Sequence, residues 1–169
     1  LKQFPSEHPS VRWLGRHMES FLRQSDHDQA EFLSEVACFE WAQGLCFDAA
    51  EDDSHFSLND MAALDPSLWP TVTLQFQPSM RWLDFHWNTP PYWVAIDQQQ
   101  NNAPSPARDN IPTRWLMWRH ALKPNWRSLD AAEAWAIDAA FNGANFAALC
   151  EGLLEWFGED SIAINAAGY

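Results

Sequence analysis

The sequence predicts an α+β fold, mostly helical, with a small antiparallel sheet and a winged-helix-like C-terminal unit. Three observations near the C-terminal end carry that prediction. First, Trp115, Met117 and Arg119 alternate with Leu116, Trp118 and His120, the two-residue period of a strand with both faces largely covered. Second, Pro124 with Asn125 breaks this run, so Trp126 and Arg127 are expected to return antiparallel to it as a hairpin. Third, two capped helical segments follow. Asp130 and Glu133 stand at capping-box spacing, where a carboxylate meets orphan backbone N–H groups, and Asn142 with Gly143 supplies the stop. Asn145 then caps a second helix, along which Phe146, Leu149, Cys150, Leu153 and Phe157 share one face before Gly158 ends it. Together, 114–158 reads as the winged-helix-like unit.

Upstream, Phe4 to Pro9 is expected to be extended because each proline restricts the residue before it. Ser10 then caps a helix with Val11, Leu14, Met18, Phe21 and Leu22 at helical spacing, while Arg12, Arg16 and Arg23 lie elsewhere around it. From about Gln29 to Ala50 runs the longest helix. Its stripe of Leu33, Val36, Ala37, Trp41, Leu45 and Ala49, with Phe32, Phe39 and Cys46 beside it, is wide enough to imply burial on more than one side. Glu40, set among Phe39 and Trp41, is expected to have a partner such as an arginine, because an unpaired buried carboxylate is costly. The acidic run Asp48, Glu51, Asp52 and Asp53 lacks the ligand spacing and turn glycine of a calcium loop and reads as a solvated loop.

Ser57 and Asp60 cap a short helix through Leu64 that Pro66 ends. Thr71 to Gln77 has the clearest strand alternation in the chain, with Val72, Leu74 and Phe76 on one side. A second strand follows Pro78, with Leu83, Phe85 and Trp87 opposite Trp82, Asp84 and His86. Pro90 and Pro91 open a helical segment through Ile96, and Gln98 to Asn110 reads as a flexible loop.

Charge narrows the function. Net charge is −13, distributed as −9 over residues 1–70, +3 over 71–127 and −7 over 128–169. A strand pair followed by two short helices suggests a helix-turn-helix reading DNA, but from Ser128 to Tyr169 there is no Lys or Arg. Phosphate neutralisation supplies most of the affinity for DNA, so protein binding is the better reading of these helices. Eleven Trp and eleven Phe supply large rings, which dominate both cores and interfaces.

Cys38, Cys46 and Cys150 have neither paired nor metal-ligand spacing, and Cys38 and Cys46 lie too far apart along one helix for a disulfide. Free thiols in a reducing cytoplasm are expected. No histidine falls at ligand spacing with another or with a cysteine, and no phosphate loop or nucleophile elbow is present. Asp84 and His86 share a strand face, which is too little for a catalytic site. We therefore expect no enzyme, no cofactor and no membrane span. The sequence opens at Leu1 without an initiator Met, inside an amphipathic segment, as expected of a fragment lacking its true N-terminus.

The runs HPSVRWLGRHMESFL, EFLSEVACFEWAQGLCFDAA, LQFQPSMRWLDFHWNTPPYWVAI and WLMWRHALKPNWRSLDAAEAWAIDAAFNGANFAALCEGL, spanning most of the chain, resemble the HvfC/BufC family. Its members carry a general DNA-binding-domain label. Leu14 before Gly15 departs from the expected Tyr. The resemblance implies that residues 1–25 are the tail of an N-terminal helical DNA-binding domain and that 26–169 form a second, α+β domain. Relatives, including the methanobactin-biosynthesis subunit MbnC, pair with a TIM-barrel iron enzyme of the BufB/MbnB type. That enzyme oxidises cysteines of a ribosomally made precursor peptide into copper-binding groups. By resemblance, this chain is a non-catalytic partner and precursor-recognition subunit whose metals belong to the enzyme; the alternative is a DNA-binding transcriptional regulator. The positive central segment adds candidates for steering a peptide, namely Arg114, Arg119, Lys123 and Arg127, with Trp115 and Trp118 as anchors. Alternation alone leaves open which hairpin face is buried.

Overall fold

A computed structural model describes residues 9–51 and 56–157, with the side chain of Phe157 left undescribed. The expected extended stretch before Pro9, the acidic residues Asp52 and Asp53, and the Gly158 stop lie outside the described residues. The fold is α+β, with six α-helices and one three-stranded antiparallel sheet among those residues. Contacts divide the chain into two compact units, residues 1–49 with 79–128 and residues 50–78 with 129–169.

In the first unit, Ser10 precedes a 3-10 helix, Val11–His17, which passes into α1, Met18–Arg23. Ser10 is extended but its side chain caps nothing. The segment is instead fastened by Arg12, which pairs with Asp48 and donates to the Gly44 carbonyl at 2.9 Å, and by Trp13 lying edge-on to Trp41. α2, Ala30–Phe47, buries Phe32, Ser34, Glu35, Phe39, Ala42 and Cys46. The buried face is thus centred on Phe32, Glu35, Phe39, Ala42 and Cys46, while the expected stripe of Leu33, Val36, Ala37, Trp41 and Leu45 is only half-buried. Spacings of three and four keep one set of side chains aligned down a helix, and this set is the one that meets the sheet.

The sheet runs β1, β2, β3 in order, with β1 at Arg81–Trp87, β2 at Arg108–His120 and β3 at Lys123–Ser128. Leu83 lies opposite Trp115 and Met117 opposite Trp126, so these residues share a face with Phe85. That face meets α2. Phe39, fully buried, stands edge-on to Phe85, Trp93 and Trp126 at ring separations of 6.1, 5.7 and 5.2 Å, within the range aromatic pairs favour. α4, Thr89–Asp97, opens with its prolines in the first turn, where their missing N–H groups cost nothing, and brings Tyr92 onto Phe32.

Two sequence expectations about the strands are corrected. The hairpin turns at Ala121 and Leu122, both at positive φ, with His120 paired to Lys123, whereas the sequence placed the turn at Pro124–Asn125. Two successive left-handed residues match the strand twist of a tight hairpin. Pro124 instead lies within β3 opposite Arg119, which is tolerated because β3 is an edge strand and a proline there need not donate to a neighbour. The expected loop also ends earlier than Asn110, because β2 begins at Arg108.

The second unit contains α3, Leu58–Ala63, a 3-10 turn at Trp69–Thr71, α5, Ala131–Phe141, and α6, Phe146–Phe157. Both predicted capping boxes form, Ser57 with Asp60 and Asp130 with Glu133. α5 stops at Asn142 and at Gly143 with φ +88°, and Asn145 accepts from the Ala148 amide at 3.0 Å to start α6. The outer edge of the Trp135 ring occupies the space that a Cβ on Gly152 would fill, so a larger residue there requires the ring to move. Thr71 to Gln77 is not a strand. It makes one isolated bridge, Thr73 to Asn145, and the Phe146 amide donates to the Val72 carbonyl at 2.8 Å. The winged-helix-like stretch is divided, with the hairpin in the first unit and α5 and α6 in the second.

Candidate interaction surface

The hairpin residues expected to steer a peptide have distinct placements. Arg114 lies directly opposite Asp84 and forms a two-pronged pair with it at 2.8 and 3.0 Å, the fork geometry that suits guanidinium and carboxylate. Trp115 is on the α2 side, packed against the core of Phe39, Ala42, Cys46, Phe85 and Met117. Trp118, three residues on, belongs to the opposite face and is half-buried. Arg119 reaches the C-terminal end of α2 and donates to the carbonyls of Phe47 and, at 2.8 Å, Ala49. A cation there satisfies orphan carbonyls and complements the negative end of the helix dipole.

Lys123 and Arg127 are exposed on the edge strand. Leu122, 67% exposed, stands at the hairpin tip beside Lys123. The structure therefore separates the six candidates. Arg114, Trp115 and Arg119 help build the unit, whereas Lys123 and Arg127 are exposed and Trp118 is half-buried on the face away from α2.

The carboxylates rearrange likewise. Glu40 is exposed and its partner is not an arginine but the indole of Trp93, which donates to it at 3.1 Å. The buried carboxylate is Glu35, 5% exposed. It accepts the backbone amides of His86 and Trp87, both at 3.0 Å, and the Thr89 hydroxyl at 3.1 Å. These donors sit where β1 bulges and α4 begins, so one side chain satisfies backbone groups that no strand neighbour reaches. Sequence reasoning passed over Glu35. Its position on the line from Phe32 to Phe39 and Cys46 was the signal that would have found it.

Arg108 holds Glu31 at 3.2 and 3.3 Å and keeps that carboxyl below its ordinary pKa, chiefly through the hydrogen bond. Asp84 and His86 do not form an acid–base pair. Asp84 is engaged by Arg114, and His86 Nδ1 lies 3.2 Å from the Asp109 carbonyl. All three cysteines are free. Burial pushes the Cys38 thiol up to about 12 and raises that of Cys46. Among the described residues no group of three or more His, Cys, Asp or Glu is placed to hold a metal ion, and no helix is long and apolar enough to cross a membrane.

Charge follows the division into units. All ten Lys and Arg and eleven of the 23 acidic residues fall in the first, for a net −1. The second holds the other twelve acidic residues and no Lys or Arg, for a net −12. Compared with protein-family models, with curated proteins and with solved structures, the chain matches none.

Proposed function

We propose that this chain is a cytoplasmic, non-catalytic accessory subunit that recognises a ribosomally made precursor peptide on behalf of a BufB/MbnB-type iron enzyme. The support is the resemblance to the HvfC/BufC family, together with one structural observation. β3 is an edge strand of the sheet and carries the exposed cations Lys123 and Arg127. An edge strand offers unpaired backbone donors and acceptors to an extended peptide, and neighbouring cations draw in an acidic one. In this role the enzyme holds the iron and performs the cysteine oxidation, while the present chain positions the peptide.

A labelled precursor peptide titrated against the subunit–enzyme complex tests this reading. Lys123→Glu with Arg127→Glu is expected to weaken binding by about tenfold, with a smaller salt dependence than the unsubstituted complex shows. Unchanged affinity in that variant would remove the β3 edge as the peptide site. The alternative, a DNA-binding regulator, requires binding to duplex DNA at low salt that falls steeply as salt rises. The absence of Lys and Arg from α5 and α6 deprives those helices of phosphate contacts.

A further inference from the structure

α3 is a helix that holds its shape without burying anything. None of its six residues is buried, and Leu58 is 80% exposed and Met61 37%. Phe56, at 57%, precedes the Ser57 cap in the position that pairs with Met61 in a hydrophobic staple. Order comes from the cap. Asp60 accepts from the Ser57 amide at 2.8 Å and hydroxyl at 2.6 Å, and the Asp60 amide returns a bond to Ser57 Oγ at 3.2 Å.

So short a helix is marginal by itself, and one that leaves Leu58 in water, with Met61 and the preceding Phe56 partly exposed, lacks much of the packing that ordinarily stabilises helices. The spacing of Leu58 and Met61 places both on one face, the arrangement by which amphipathic helices enter apolar grooves. The occupant's charge follows from the surrounding unit, which carries net −12 and no cation. A second copy of this chain brings another −13, so net charge disfavours it as the occupant.

We propose that α3, with Phe56 ahead of it, is the segment by which this chain docks into an apolar groove rimmed by Lys and Arg on its enzyme partner. This assignment rests on the accessory-subunit role and adds the contact that fastens the two proteins. α3 belongs to the second unit, whereas the β3 edge belongs to the first.

The test compares the unsubstituted chain with Leu58→Ala/Met61→Ala in co-purification and titration against the iron enzyme. Alanine favours helix and the Ser57–Asp60 cap is untouched, so circular dichroism is expected to stay as it was, and Leu58→Ala alone, at an 80% exposed position outside the staple, serves as the second variant. The double variant is expected to bind the enzyme at least tenfold more weakly, and binding of the unsubstituted chain is expected to weaken as salt rises. Equal affinity of the two chains for the enzyme would overturn the α3 assignment while leaving the accessory role intact. Failure of the unsubstituted chain to bind would remove both. A concentration-dependent homodimer abolished by the double variant would hand the face to a second copy and overturn the assignment.

Discussion

At the scale of single residues, Glu35 ties α2 to β1 and to the start of α4 in the first unit. Its carboxylate is nearly sealed and serves three donors from β1 and α4, so its loss leaves buried backbone amides without partners. Glu35→Ala is expected to cost about 3 kcal/mol in urea denaturation, whereas Glu40→Ala, at an exposed position, costs less than about 1 kcal/mol. Similar losses for the two would contradict the assignment. The sequence pointed to Glu40 because aromatic neighbours in the chain look like a buried setting. Position around the helix decides burial, and adjacent residues point about 100° apart. Asp60 supplies a pH signature. Ser57 holds its carboxyl below the ordinary 3.8, so the cap stabilises α3 above that value and is lost as pH falls through the lower, folded one. A pH titration of the Asp60 carboxyl by NMR should have its midpoint below 3.8.

At the scale of elements, local chemistry was legible and pairing was not. Both capping boxes, the Asn145 cap, the Gly143 stop and the proline-started α4 appear where residue spacing placed them, because each depends on groups within four positions along the chain. Thr71 to Gln77 failed as a strand for the converse reason. Alternation favours an extended conformation, but a strand also needs a neighbour, and here only Thr73 finds one, at Asn145. The hairpin turn was misplaced because proline reads as a breaker, whereas an edge strand accommodates it. Tight packing between α5 and α6 was equally hidden. A Cβ at Gly152 would overlap the ring of Trp135, so Gly152→Ala is expected to destabilise the second unit by about 1–3 kcal/mol, read by thermal unfolding. A neutral result would mean that the ring swings aside freely.

At the scale of the whole molecule, the α+β class was readable from periodicity, while the assignment of segments to two units was not. The winged-helix-like stretch is contiguous in sequence yet divided by contacts, because residues 50–78 join α5 and α6 and residues 79–128 join α2. Charge segregation emerges only after that assignment. Blocks of −9, +3 and −7 along the chain become −1 and −12 in the two units. The proposed α3 contact lies in the cation-free unit, and the proposed peptide contact lies on the strand edge that carries two exposed cations. The most direct measurement is size-exclusion chromatography with iron analysis, after co-expression with the BufB/MbnB-type enzyme from the same source. The account predicts a single iron-bearing heterodimer peak that persists on dilution. Two separate peaks, with all the iron in the enzyme and none travelling with this chain, would contradict it.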